Sequence, residues 1–461
     1  MTARAIVLGG GLAGTLAARA LSPHVDAITI VERDRYPDGP EQRRGVPQAQ
    51  HAHLLMSGGA AVLDELLPGT IDRLLRAGAY RIGLPEDAVS LTAYGWNHRF
   101  PASGYMITCS RPLIDWVVRE QVLADPKVTV LADTAVMGLR GTASRVTGAR
   151  VQTVGSAETA LDADIVVNAT GRGSALRRWL AEIGAPPVDE DIVDSGIAYA
   201  TRVYRPARQF PPVVLYADHR VPRPGQNGAL LPVEGNRWMV TLSGTRGGEP
   251  PTDEDGFLAF ARGIRHSLIA ELIGTAEPLT PVRGTRSTVN RRLRLGQLGA
   301  GWPDGLVVVG DAVAAFNPVY GHGMSTAARA AAALAAALRR HGPGAGLAVL
   351  AQRAVAAAVD DAWILATLQD ICYPDCRYDV VDTRLTRQAA QGRKLADMVG
   401  LAAIREPLVS AATIRVNTLS APLSSLESSD IVAALRRPAA YPSLTEPPLT
   451  PQERALLGSR E

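Results

Sequence analysis

Two glycine-rich segments carry residue types that could grip a phosphorylated ligand. In the first, Gly9-Gly10-Gly11-Leu12-Ala13-Gly14 follows the apolar run 5–8 and precedes a second run, 27–31, that stops at Glu32. Strand, Gly-x-Gly-x-x-Gly, helix, strand and acid is the order a dinucleotide site requires. Gly9 makes the turn, Gly11 lets a pyrophosphate approach the N-terminus of a helix read over residues 15–21, Gly14 permits close helix–strand packing, and Leu12 and Ala13 belong to the same cofactor-binding turn. Glu32, 18 residues after Gly14, can accept both ribose hydroxyls of an adenosine and would repel a 2′-phosphate. Arg33, its neighbour, belongs to the same contact set. The ligand is then FAD or NAD rather than NADP.

The second segment lies about 300 residues downstream, where the β-branched run 306–309 ends at Gly310-Asp311. The acid stands at a strand's carboxyl end, where open α/β sheets place ligands. Pro318, Gly321, His322, Gly323 and Met324 then lead into the alanine-rich stretch 325–338, which extends as a helix. The two glycines let the backbone approach a flat ligand, and the helix start presents its positive end to an anion. A dehydrogenase has no need of this second grip, so the pair specifies FAD. His322 could hydrogen-bond at that edge or serve only as a spacer.

The elements that must position these segments alternate in type. Runs 128–131, 146–151 and 164–171 read as strands of a nucleotide domain, and residues 60–77 as helical. Ser110 with Pro112 opens a helix at Arg111, which faces phosphate or is a surface arginine. Residues 81–105 read as short strands carrying Tyr94, Trp96, Phe100 and Tyr105. Runs 197–203, 213–216, 229–233 and 238–242, with Glu234-Gly235-Asn236 as a hairpin turn, read as an antiparallel, substrate-facing sheet. Residues 346–437 read as mostly helical, and 438–451, with five prolines, as an ordered loop. The expected fold class is α/β: an FAD-binding Rossmann-like domain of the glutathione reductase type, an interleaved antiparallel β-sheet substrate domain and a C-terminal helical region. The expected limits are 1–80, 107–190 and 286–345 for the FAD-binding parts, 81–106 and 191–285 for the substrate parts, and 346–461 for the helical region.

Composition narrows the class. With 46% hydrophobic residues, 20% charged and a net charge of +3, the 461-residue chain has no nucleic-acid footprint. Cys109, Cys372 and Cys376 make no disulfide framework, which suggests a reducing cytoplasm, and Cys372-x-x-x-Cys376 lacks the spacing and second ligand pair of a zinc site. No stretch approaches the roughly 20 apolar residues of a membrane span. The apolar stretch 5–21 could imitate a signal peptide core, but its three glycines fit a nucleotide site better. Arg43 and Arg44 suit a pyrophosphate or ribityl chain, or form a solvated basic loop. His51 and His53, without a third ligand in view, read as hydrogen-bonded structural histidines.

Across at least residues 1–345, these motifs resemble the single-component FAD monooxygenases related to p-hydroxybenzoate hydroxylase. The resemblance implies that Asp311 binds the ribityl chain, that Pro318, Gly321, His322, Gly323 and Met324 pack on the flavin's pyrimidine edge, and that Arg43 and Arg111 lie near the ribityl-pyrophosphate part. One departure is Thr170-Gly171, where that family has Asp-Gly. A narrower similarity, to the flavin epoxidases of the lasalocid and monensin polyether pathways, runs through 43–55, Gly95-Trp96-Asn97-His98-Arg99-Phe100-Pro101, Ser287-Thr288-Val289-Asn290-Arg291-Arg292-Leu293 and 310–325. It implies epoxidation of alkenes on a linear polyene polyketide through a flavin C4a-hydroperoxide, with FAD as cofactor and O2 as co-substrate. Electrons come from NAD(P)H or a partner reductase, and the substrate is free or tethered to a carrier protein. The chemistry needs no protein nucleophile, only a dry, shaped cavity.

Three rivals follow. An aromatic hydroxylase needs a base, for which His98 or Asp194 could serve. A flavin halogenase uses a lysine, and neither Lys127 nor Lys394 lies in a matching motif. The third is a non-catalytic flavin-binding protein.

Overall fold

The computed structural model describes residues 3–286, 288–297 and 299–458. Ser287, at the head of one motif above, lies outside the described residues. Five β-branched runs form a parallel sheet in the order Leu306–Val308, Ile165–Asn168, Arg4–Leu8, Ala27–Val31, Val128–Leu131. Burial of both sheet faces explains why these strands read as continuous apolar runs without alternation. In register, Leu8 lies between Asn168 and Val31, and Asn168 lies beside Val308. All these strands therefore release their chains at one edge, and both glycine segments leave from it. The helices Leu12–Leu21 and Gly323–His341 pack on each other there. The first starts three residues earlier than the apolar pattern alone marks, directly on the glycine loop.

Beyond that edge stands an eight-stranded sheet whose centre is Ala198–Arg205, Arg237–Gly244, Gln226–Val233 and Val213–Asp218, all antiparallel. Ala88–Thr92 joins it in parallel beside Val213–Asp218. Leu215, Ala229 and Thr241 stand in register on one face. On the other, Val214, Leu230 and Val240 pack with Phe257 and Ile269 of two covering helices, Glu254–Gly263 and Leu268–Gly274. Alternation along the strand separates the two faces.

Four helices of the C-terminal part, Leu347–Asp370, Ala389–Ala403, Pro407–Asn417 and Ser429–Leu435, follow the expected helical texture. Between the first two, Arg377–Asp379 instead forms a short strand antiparallel to Glu190–Asp194. It is exposed and charged, so it carries no periodic signal. The proline-rich tail returns to the sheet: Leu444 bridges Trp96, and Glu453 pairs with Arg99 at 2.7 Å. Among the described residues, no helix is long and apolar enough to cross a membrane.

Candidate active site

A cavity of about 1780 Å³ opens at the carboxyl edge of the parallel sheet and runs beneath the eight-stranded sheet and the C-terminal helices. Its wall takes in eleven of the residues singled out from sequence: Gly11, Leu12, Ala13, Arg33, Arg111, Asp311, Pro318, Gly321, His322, Gly323 and Met324. Four others stand just behind that wall. Gly9, at φ +96°, turns the chain and donates its N–H to the Val31 carbonyl at 2.8 Å. A Cβ on Gly14 would overlap the Gly9 carbonyl. Glu32 accepts the Gly10 N–H at 2.7 Å and the Asp34 N–H at 3.0 Å. Arg43 is buried over the Tyr36 ring with its Nη1 3.4 Å from the Glu32 carboxylate. The arginine expected at the pyrophosphate is thus an inner partner of the acid expected at the ribose.

Several features of this wall fit a flavin dinucleotide. A Cβ on Gly11 would meet nothing within 4 Å, so the loop faces open space where a pyrophosphate would lie. Asp311 faces the cavity with Arg172 and Arg111 acting on it, and burial holds its carboxyl above the usual carboxylate range. No hydrogen bond from the described residues reaches that carboxyl, which leaves it to accept from a ligand hydroxyl. The helix Gly323–His341 begins at the cavity without a side-chain cap, so its first N–H groups are available to an anionic edge. Gly321 turns at φ +68°, and a Cβ there would press on Met56 and Leu54 at 3.1 and 3.2 Å.

His322 is held in one tautomer. Its Nε2 donates to the Asn417 carbonyl at 3.0 Å, its Nδ1 is buried without a partner, and burial lowers its pKa to about 4. The ring is therefore neutral at pH 7 and ties the cavity-lining loop that carries it to the helix Pro407–Asn417. His51 also lines the cavity, with Nδ1 2.8 Å from the Thr201 hydroxyl, and burial lowers it to about 4 as well. His53 is hydrogen-bonded too, its Nδ1 2.9 Å from the His51 carbonyl.

The two bases considered for phenol chemistry stand elsewhere. His98 donates to the Pro442 carbonyl at 2.8 Å and stacks on Phe100, and Asp194 pairs with Arg246 at 3.1 Å. Neither lines the cavity. Of the aromatic cluster, Trp96 is core, whereas Tyr94 reaches the wall and meets His219 edge-on at 5.7 Å. Sequence reasoning missed Arg172, which follows the Thr170-Gly171 departure. Its guanidinium binds the Val289 carbonyl at 2.5 Å and the Phe316 carbonyl at 2.6 Å, strapping two cavity segments together.

Residues 5–183 match the family model described as FAD dependent oxidoreductase. The chain is also 31% identical over 382 residues to Protein Rv3254 of Mycobacterium tuberculosis, with 80% of each chain covered. This chain belongs to the FAD-dependent oxidoreductases. Among solved structures, this oxidoreductase is similar to the flavin-dependent brominase Bmp2, with a TM-score of 0.64 and 14% identity over 94% of this chain and 96% of that one. It is also similar to pqsL, a probable FAD-dependent monooxygenase from Pseudomonas aeruginosa, with a TM-score of 0.59 and 18% identity over 85% and 98% of the two chains. The oxidoreductase thus has the fold of FAD-binding monooxygenases and halogenases, and the α/β class expected from its motifs is the class observed.

Proposed function

We propose that this FAD-dependent oxidoreductase is a monooxygenase that epoxidises alkenes of a linear polyene polyketide, in the making of a polyether. The observation that carries the reading is one continuous cavity of about 1780 Å³, far larger than the ~300–1,000 Å³ of an ordinary ligand pocket. It has room for a dinucleotide and, beyond it, a long apolar substrate. The far lobe is walled by Leu215, Ala229 and Leu231 of the sheet and by Leu395, Val399 and Ile414 of the helices above.

When bound, reduced FAD supplies an electrophilic oxygen atom derived from O2. The chain's part is to hold it and keep the site dry. Gly11 and the start of Gly323–His341 would receive the pyrophosphate and the flavin's pyrimidine edge, and Asp311 a ribityl hydroxyl. The same helix end would stabilise negative charge developing on that edge. The apolar lobe would align the alkene and exclude water. Electrons would come from NAD(P)H or a partner reductase, and the polyene would arrive free or on a carrier protein. Against a halogenase stands the absence of both lysines from the wall: Lys127 donates to the Ser22 and Val25 carbonyls at 3.0 and 3.1 Å, and Lys394 does not line the cavity.

Incubation of the protein with FAD, a reductant, ¹⁸O2 and a simple polyene ester should give a product carrying one or more labelled oxygen atoms as epoxides by mass spectrometry. Absence of oxygenated product across polyenes of several lengths would sink the reading. A second reading is aromatic hydroxylation, which needs a base at the cavity; His51 lines it, with its Nδ1 2.8 Å from the Thr201 hydroxyl. Phenol-stimulated NAD(P)H oxidation with a hydroxylated product would select it.

A further inference from the structure

The carboxyl group of Asp370 lies fully buried at the end of the helix Leu347–Asp370, with four neutral donors on it and no ion pair among the described residues. Its Oδ2 accepts from Ser195 Oγ at 3.1 Å, Asn290 Nδ2 at 2.7 Å and Asn317 Nδ2 at 2.9 Å, and its Oδ1 accepts from the Tyr320 hydroxyl at 2.7 Å. Both amides are locked in orientation. Asn290 Oδ1 accepts the Asn317 N–H at 2.6 Å, and Asn317 Oδ1 accepts from the Tyr199 hydroxyl at 2.7 Å and the Val319 N–H at 3.1 Å. Neither can turn without losing a partner of its own.

One side chain thus gathers four segments: its own helix, the joint at Ser195, the strand Asn290–Leu293 and the loop that carries Asn317 and Tyr320. Asn317, Tyr320 and Tyr199 line the cavity, and the loop runs directly on to Gly321, His322 and Gly323. Burying a carboxyl group away from water is costly, so this arrangement persists only through its set of donors.

We propose that Asp370 is a positioning residue for the bound flavin: it sets Asn317 and Tyr320, and through them aims the backbone of residues 321–324 at the cofactor. The inference rests on the reading that this loop meets the flavin. Asp370→Ala deletes all four acceptor contacts. Asp370→Asn keeps an oxygen for the three donors at Oδ2 and places an N–H where Tyr320 can accept it, so it restores most of the geometry.

The test titrates FAD into full-length apoprotein and records dissociation constant, visible spectrum and thermal midpoint. Asp370→Ala should weaken FAD binding at least tenfold and alter the shape of the flavin's long-wavelength band, and Asp370→Asn should recover both to within about threefold. Asp360→Ala is the control: that side chain lies on the same helix and pairs with Arg384 at 2.7 Å and Arg292 at 2.9 Å. It should stay within twofold of wild type. A lower thermal midpoint for Asp370→Ala with affinity and spectrum unchanged would make the residue merely structural and overturn the proposal. If Asp370→Ala does not fold, Tyr320→Phe decides: a loss of threefold or more supports the proposal, and unchanged affinity and spectrum defeat it. Wild-type protein that takes up no FAD brings down the flavin reading and this inference together; wild type and Asp370→Ala binding alike bring down this inference alone.

Discussion

Gly310 touches Ala13. A Cβ on Gly310 would stand 2.5 Å from that of Ala13, and Gly310 sits at φ +63°, so the two glycine segments meet where no side chain fits. Gly310→Ala combines left-handed strain of ~1–2 kcal/mol with overpacking of ~1–3 kcal/mol. It should lower stability by about 2–5 kcal/mol in urea unfolding, and the folded fraction should bind FAD more weakly. Wild-type stability and FAD uptake in this variant would contradict the contact.

Gly11 is the opposite case. Its backbone, at φ −74°, suits any residue, and a Cβ there meets nothing of the protein. Gly11→Ala should therefore fold with a thermal midpoint within about 1–2 °C of wild type, since a compatible Gly→Ala change is worth only ~0.4–1 kcal/mol. FAD affinity should nonetheless fall tenfold or more, because the added methyl occupies the space assigned to the pyrophosphate. A variant that binds FAD normally would remove the phosphate from this loop.

Filling the far lobe should separate cofactor from substrate. Ala229 stands on the cavity face of the sheet, between Leu215 and Thr241. Ala229→Phe should leave FAD affinity within twofold while cutting oxygenation of a long polyene at least tenfold. Shorter alkenes should lose less. Equal loss for all lengths would place the substrate elsewhere.

His51 gives a pH-dependent term with a definite sign. Its pKa falls from 6.5 when unfolded to about 4 when folded, so between those values the unfolded chain binds more protons. The stabilisation is complete above about pH 6.5 and is lost as pH falls toward 4. The stability gap between wild type and His51→Gln, followed by denaturant titration, should shrink across that window. A gap constant from pH 7 to pH 4 would mean that His51 is not held neutral. Comparing the pair cancels the contributions of Asp311 and Asp370, whose raised pKa values act in the opposite sense.

The part of the site that could be read from sequence is the part whose chemistry is local. Gly9, Gly11, Gly14 and Asp311 each answer to a turn, a close approach or a strand end within a few residues, so their spacing carries the information. Asp370 has no such neighbourhood: it is one acid at the end of a mostly apolar helix, and its partners are Ser195, Asn290, Asn317 and Tyr320. Glu32 was legible as an acid at a strand end, but not the Gly10 and Arg43 groups that engage it, because Arg43 arrives from a loop without regular periodicity. The helices over the cavity were legible as helices, yet their amphipathic pattern does not say which surface they cover.

The tie between His322 and the Asn417 carbonyl, with the Ser57 hydroxyl 2.8 Å from that of Ser420, joins the helix Pro407–Asn417 and the turn after it to segments that come far earlier in the chain. During synthesis, both glycine segments leave the ribosome well before this last wall exists. A nascent polypeptide halted after residue 370 would hold every motif of the nucleotide domain and still be an uncovered trough. Covering of the cavity is therefore an event of chain completion rather than of early folding.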